Sequence, residues 1–210
     1  MGAAFIRTSD ARSLRLVVVY PGVGYGTQGF VRASVERALR KSNPGPLLVV
    51  IASRFDTPYS RLKNEIDRYA QANDLTLDPD ALIGWSGGSK GVGGALNAGA
   101  SFRRVLLADP SPAYDGGYSL ARTRMWYQPK NWKGKYRHLG PMQEKVAQRM
   151  GRRATVMPLG HDQILDYTLK VGFGQPSLIG PLSALPTRWV IGVPVLAMMV
   201  LLFVRLLRRR

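Results

Sequence analysis

The sequence contains no cysteine, only two histidines and few acidic residues. Without cysteine the chain cannot form a disulfide bond, a thiolate metal site or a cysteine nucleophile. Thirteen Asp and Glu stand against thirty Lys and Arg, which gives the 210 residues a formal net charge of +17 at pH 7. Such an excess favours anionic partners, among them acidic lipid headgroups, cell-wall polymers and nucleic acid, without choosing between them.

The N-terminus also lacks the basic stretch and long apolar core of a secretory signal. With 45% hydrophobic and 20% charged residues, the composition is that of a folded domain rather than a disordered chain. A chain of this length is suited to one domain and an appendage.

Short apolar segments alternate with amphipathic ones from residue 14 to about residue 172. The pattern predicts strands over residues 14–20, 46–52, 81–85, 105–108 and 154–158. It predicts helices over residues 30–41, 60–72, 88–98, 141–150 and 162–171. Strands that are apolar throughout are typical of a mostly parallel sheet with helices on both faces, so we predict an α/β domain over residues 1–172.

A Gly-Trp-Ser-Gly-Gly segment at residues 84–88 lies between a predicted strand and a predicted helix. This is the G-x-S-x-G pattern, in which glycines on either side of the serine let strand and helix approach closely. The serine hydroxyl then projects above the carboxyl edge of the sheet, near the N-terminus of the next helix. The pattern predicts Ser86 as a nucleophile.

A glycine-rich loop at residues 20–26 follows the first predicted strand. Acyl transfer needs two backbone N–H groups that converge on the oxyanion. We expect one from Gly87, the residue after the nucleophile, and the other from Val23 or Gly24 in the loop.

The same loop could instead bind a dinucleotide. A dinucleotide loop has the spacing G-x-G-x-x-G, but in residues 22–27 the third glycine comes one position too early. An acidic residue that binds the ribose would be expected at the end of the second strand, where Arg54 precedes Asp56. We therefore favour the oxyanion loop and predict no cofactor and no metal ion.

His161 follows the last predicted strand and is the candidate general base. The other histidine, His138, lies in a basic segment and is expected at the surface. A purely structural role for His161 is the alternative.

Asp109 ends the fourth predicted strand and is the candidate acid, although it could simply cap the turn before Pro110. Because the carboxyl ends of parallel strands share one edge, Asp109 should lie on the same side of the sheet as Ser86. The competing acids are Asp115, Asp162 and Asp166.

Together these residues resemble the α/β-hydrolase superfamily, with the chain order Ser86, Asp109, His161 over residues 14–172. No subfamily is evident. Two features depart from the usual pattern. The superfamily acid usually follows the strand after the one that ends at Asp109, and no such strand is predicted. The oxyanion loop begins Tyr-Pro-Gly, where many members have His-Gly.

The resemblance implies a compact α/β-hydrolase fold and a serine hydrolase. Ser86 would attack an acyl carbon after giving its proton to His161, and water would then release the acyl-enzyme. A carboxylic ester, of a lipid or another acyl group, is the expected substrate, followed by a thioester or an amide.

A basic insert is predicted at about residues 113–150, where hydrolases of this kind often carry a lid. Residues 121–153 contain ten Lys or Arg against Glu144 alone, with four aromatic residues between them. This composition suits a surface of anionic lipid, and equally a phosphate backbone with stacked bases. A solvated surface loop is the third interpretation.

The C-terminal part differs in character. Residues 173–187 form a Gly/Pro-rich linker, and residues 188–210 are the predicted membrane anchor. The span from 189 to 207 has nineteen residues, close to the roughly 20 needed to cross a bilayer as a helix. Docking of this helix on the domain or in an oligomer is the alternative.

The side of the membrane and the oligomeric state are not determined by the sequence. The leading hypothesis is a membrane-anchored serine esterase. The second is a catalytically inactive α/β-hydrolase-like membrane or virion structural protein that binds anionic lipid or nucleic acid.

Overall fold

The computed structural model describes residues 2–24, 26–111, 122–129 and 140–174. Seven strands of these segments form one sheet in the order β1-β3-β2-β4-β5-β6-β7. The strands are β1 Ala4–Arg7, β2 Ser13–Tyr20, β3 Leu47–Ile51, β4 Thr76–Trp85, β5 Arg104–Ala108, β6 Thr123–Tyr127 and β7 Ala154–Val156. β1 runs antiparallel to β3, and every other pair is parallel.

Helices cover both faces of the sheet. They are α1 Thr27–Arg40, α2 Tyr59–Ala72, α3 Ser89–Asn97, α4 Gly140–Met150 and α5 His161–Gly172. The apolar sides of α1 and α5 belong to one buried cluster, whereas those of α2, α3 and α4 belong to another. Alternate residues of β2, such as Val17 and Val18, enter the two clusters in turn. The predicted α/β sheet with two covered faces is confirmed.

The sequence pattern did not predict β1 and β6. β1 is a four-residue edge strand whose residues are all half-buried, so it lacks the continuous apolar run of an inner strand. β6 lies between β5 and β7, yet its second residue, Arg124, is exposed.

β6 lies within residues 113–150, the range of the predicted insert, so part of this range belongs to the sheet. The expectation that no strand separates the Asp109-bearing strand from the last one is wrong, because β6 lies between β5 and β7. The position after β6, where the superfamily usually carries its acid, is occupied by Gln128.

Charged residues connect three strands at the amino edge of the sheet. The Asp80 side chain on β4 is only 5% exposed, and its carboxylate accepts hydrogen bonds from Arg104 at 2.6 Å, Arg15 at 3.0 Å and Arg103 at 3.3 Å. Burial alone would raise the pKa of Asp80, but these arginines, Arg104 first, bring it below its usual value.

The same arginines bind the end of α5. Arg104 donates to the carbonyl oxygens of Val171 and Gly172, each at 2.9 Å, and Arg15 donates to that of Phe173 at 3.2 Å. Guanidinium groups at a helix C-terminus satisfy carbonyls that have no partner within the helix. The cluster therefore joins β2, β4, β5 and α5.

The linker predicted at residues 173–187 is described only as far as Gly174, and the predicted anchor at 188–210 lies outside the described residues. Among the helices that are described, none combines the length and apolar character needed to cross a membrane.

Candidate active site

Ser86 lies at the turn that joins β4 to α3. β4 ends at Trp85, a single 3₁₀ turn covers Ser86–Gly88, and α3 begins at Ser89. The φ angle of Ser86 is +52°, in the left-handed region that residues with a side chain rarely adopt. The sharp, strained strand-to-helix turn expected from the G-x-S-x-G pattern is therefore present at Ser86.

The flanking glycines are needed because other backbone segments lie close to them. A Cβ on Gly88 would collide with the carbonyl oxygen of Tyr20 and lie 2.6 Å from that of Pro21. A Cβ on Gly84 would lie 2.8 Å from the Val92 side chain. A larger residue at Gly84 would push β4 and α3 apart, and one at Gly88 would push the serine turn away from the end of β2.

Hydrogen bonds hold the serine turn from outside. The carbonyl oxygen of Ser86 accepts the backbone N–H of Ser111 at 2.9 Å and the hydroxyl of Ser89, also at 2.9 Å. Ser89 is fully buried. The turn is thus tied to the segment that follows β5, in which Asp109 lies.

The predicted oxyanion loop lies against the serine turn. A Cβ on Gly22 would be 3.3 Å from the Ser86 Cβ, and one on Gly87 would be 3.3 Å from the backbone nitrogen of Val23. The structure thus brings Val23 to Gly87. Gly24 lies further along the loop, where its carbonyl oxygen accepts the Thr27 hydroxyl at 3.0 Å.

Asp109 and His161 form a buried pair. Asp109 directly follows β5, is fully buried and has a φ of +45°. His161 is the first residue of α5 and is 5% exposed. The ring nitrogen Nδ1 of His161 lies 2.5 Å from Oδ2 of Asp109 in a hydrogen bond, so Nε2 is the ring nitrogen on the side away from the acid.

The other oxygen of this carboxylate has two donors. Oδ1 of Asp109 accepts the backbone N–H of Gln128 at 3.1 Å and Nε2 of Gln143 at 2.8 Å. Sequence reasoning missed both glutamines. Gln128 follows the strand that the pattern did not predict, and Gln143 is one polar residue in a helix of the basic insert, so nothing in the pattern marked either of them.

Aromatic contacts place His161 beside the serine turn. The rings of Trp85 and His161 have centroids 4.9 Å apart, and Trp85 immediately precedes Ser86. Phe30 of α1 stacks on the same indole with a centroid distance of 5.1 Å. The imidazole therefore lies at the carboxyl edge of the sheet, on the same side as Ser86.

Two of the competing acids, Asp162 and Asp166, are among the described residues. Asp162 is exposed, and Asp166 pairs with Arg37 at 3.1 Å. Asp115 and His138 lie outside the described residues. A cavity of about 530 Å³ between the C-terminus of α1 and the start of β3 lies at the opposite edge of the sheet and touches none of the residues above.

Comparisons of sequence give no relative: no protein-family model and no curated protein matches the chain. Solved structures do match. The siderophore hydrolase EstB from Aspergillus nidulans has a TM-score of 0.55 at 12% identity, and the match covers 85% of this chain and 90% of that one.

Two further structures are similar. XC6422 from Xanthomonas campestris, a member of the α/β serine hydrolases without a lid, has a TM-score of 0.51 at 14% identity, with 84% of this chain and 90% of that one covered. Enterochelin esterase from Shigella flexneri has a TM-score of 0.54 at 14% identity, with 81% of this chain but 54% of that one covered. At such identities the likeness concerns the fold alone.

Proposed function

We propose that this chain, whose fold is that of the α/β-hydrolases, is a serine hydrolase that cleaves carboxylic esters through Ser86, His161 and Asp109. The observation that carries the proposal is the buried hydrogen bond between His161 and Asp109, because it fixes an imidazole beside the strained serine turn. A purely structural role for His161 would leave unexplained why Ser86, which follows the Trp85 that the ring contacts, has a left-handed conformation.

The chemistry follows from these positions. As the Ser86 Oγ attacks the acyl carbon, its proton passes to Nε2 of His161, and Asp109 stabilises the imidazolium that forms. The N–H groups of Gly87 and Val23 stabilise the oxyanion. The proton then passes to the alcohol that leaves, and water repeats the sequence on the acyl-enzyme.

The surroundings of the serine favour a substrate with an apolar group. Val23 is 63% exposed and Phe30 is 38% exposed, and both flank the serine turn, Val23 through Gly87 and Phe30 through Trp85. Exposed apolar side chains beside a nucleophile can bind an acyl chain or an apolar alcohol.

The test is covalent labelling with a fluorophosphonate probe, followed by hydrolysis of p-nitrophenyl esters. Ser86→Ala should abolish labelling, because it removes the only atom that attacks the probe. His161→Ala should lower the hydrolysis rate by about 10³-fold, since the general base is lost. His138→Ala, which removes the other histidine, is the matched control and should label normally.

Labelling that persists in Ser86→Ala would contradict the proposal. A folded protein that neither labels nor hydrolyses esters, yet still binds anionic lipid or nucleic acid, would instead support the inactive scaffold.

We further propose that residues 188–210 anchor the chain in a membrane and that the basic residues bind anionic lipid. The apolar run of residues 189–207 supports the anchor. Exposed arginines on β6 and after α4 support the anionic partner, namely Arg124, Arg152 and Arg153.

A further inference from the structure

We propose that Gln143 is a positioning residue that orients the Asp109 carboxylate toward His161. The proposal rests on the function proposed above, since orientation of the acid matters only if His161 acts on Ser86. It adds a residue of α4 to the site.

The Gln143 side chain reaches two acceptors in the turn that carries the acid. Its Nε2 donates to Oδ1 of Asp109 at 2.8 Å and to the carbonyl oxygen of Pro110 at 2.9 Å. Gln143 is fully buried. A side-chain amide nitrogen has two N–H donors, so both are used within this one turn.

Asp109 needs such a partner for two reasons. A fully buried carboxylate must be compensated by hydrogen bonds, and it is costly when they are missing. The rotation of a carboxylate about its last side-chain bond is also loosely restricted. Donors on Oδ1 therefore determine where Oδ2 points, and Oδ2 is the atom that meets Nδ1 of His161.

The two donors to Oδ1 differ in kind. Gln128 contributes a backbone N–H, which almost any residue would supply, whereas Gln143 contributes its side chain. Only the second contact depends on residue type. Gln143 lies on α4, whose residues Ala147 and Met150 are buried, so packing of this helix places the amide.

The experiment compares Gln143→Met, which keeps the length of the side chain but has no donor, with Gln148→Met. Gln148 is exposed on the same helix and serves as the matched control. For a p-nitrophenyl ester, Gln143→Met should lower kcat about tenfold and leave KM within about twofold, because the acid is misplaced while the substrate contacts remain. The control should match the unmodified protein.

A second readout does not depend on turnover. The proton on Nδ1 of His161, held in its hydrogen bond to Asp109, should give a downfield ¹H NMR signal that His161→Ala identifies. This signal should be lost or broadened in Gln143→Met and retained in Gln148→Met. Retention of both the signal and kcat in Gln143→Met, with only a lower Tm, would overturn the proposal.

Gln143→Glu keeps the test valid if the methionine variant does not fold. Its ionised carboxylate cannot donate to Asp109 and repels it, whereas its protonated form can donate one hydrogen bond. Its kcat relative to the unmodified protein should therefore rise as the pH is lowered from about 8 to about 6, and a constant ratio would overturn the proposal. Failure of the proposed function is seen separately, as absence of Ser86-dependent labelling in the unmodified protein.

Discussion

At the scale of single residues, Ser86, the proposed nucleophile, has an unfavourable backbone conformation. Its φ of +52° is adopted easily by glycine but costs a residue with a Cβ roughly 1–2 kcal/mol. The cost is borne because the surrounding contacts, above all those to Ser89 and Ser111, leave the turn no alternative. If Ser86 is the nucleophile, stability and activity are therefore opposed at this position.

A pair of variants at Ser86 separates the effect on stability from the effect on activity. Ser86→Gly should be more stable than Ser86→Ala by about 1 kcal/mol, because only glycine relaxes at positive φ. Urea denaturation gives the two free energies of unfolding, and both variants should fail to label with fluorophosphonate. Equal stabilities would show that the turn is not strained in the native protein.

At the scale of elements, the hydrogen bonds of Asp80 and its three arginines join β2, β4 and β5 to the end of α5. The pKa of this carboxyl is lowered in the fold by Arg104, Arg103 and Arg15, against the effect of burial. A carboxyl with a lowered pKa stabilises the fold above its ordinary pKa, and that contribution is lost as the pH falls through the lowered value.

Asp80→Asn should therefore destabilise the protein by about 2 kcal/mol at neutral pH, since it leaves partly buried arginines without their counter-charge. The difference from the unmodified protein should shrink as the pH falls below about 4. Urea denaturation from neutral to acidic pH measures it. Asp78→Asn, on the same strand but half-exposed, is the control and should change stability by less than about 0.5 kcal/mol. A difference in unfolding free energy between Asp80→Asn and the unmodified protein that does not change with pH would contradict the expectation.

The elements also show how far the sequence is informative. Apolar runs such as residues 14–20 and 46–52 predicted the inner strands, since burial on both faces requires a continuous apolar run. β6 was not predicted, because Arg124 interrupts its apolar residues and the neighbouring sequence is basic. Because β6 was not predicted, the position of Gln128 at its end, and its backbone hydrogen bond to Asp109, could not be predicted either.

The candidate site was predictable where local chemistry determines it. Ser86 stands in a motif with its own geometry, and Asp109 and His161 both follow predicted strands of the parallel sheet. Gln143 could not be predicted, because its contact depends on how α4 packs on the sheet, and no local pattern encodes that packing.

At the scale of the whole molecule, a net charge of +17 and an apolar C-terminal run suggest two different forms of attachment to a surface. Attachment by charge weakens with salt, because counterions screen it within about 10 Å at 0.1 M. A membrane span is held by the hydrophobic effect and resists both salt and alkali.

Vesicle sedimentation distinguishes attachment by charge from attachment by a membrane span. The full chain should stay with anionic vesicles after washes with salt and with alkaline carbonate. Leu196→Lys combined with Val200→Lys should release it, because charges within the bilayer core cost several kcal/mol. Ser177→Lys combined with Ser183→Lys adds the same charge in the linker and is the control. Release of the unmodified chain by salt alone would exclude the anchor.

The order of the sheet has a consequence for a chain that emerges from the ribosome. After β4, each new strand is added to the outside of the one before it, and the link between Asp109 and His161 spans 52 residues of sequence. The serine turn and its glycine loop are translated well before the imidazole. If Ser86 and His161 act as proposed, a nascent polypeptide would carry the nucleophile without its base until α5 docks, and hydrolysis would begin only when folding is nearly finished.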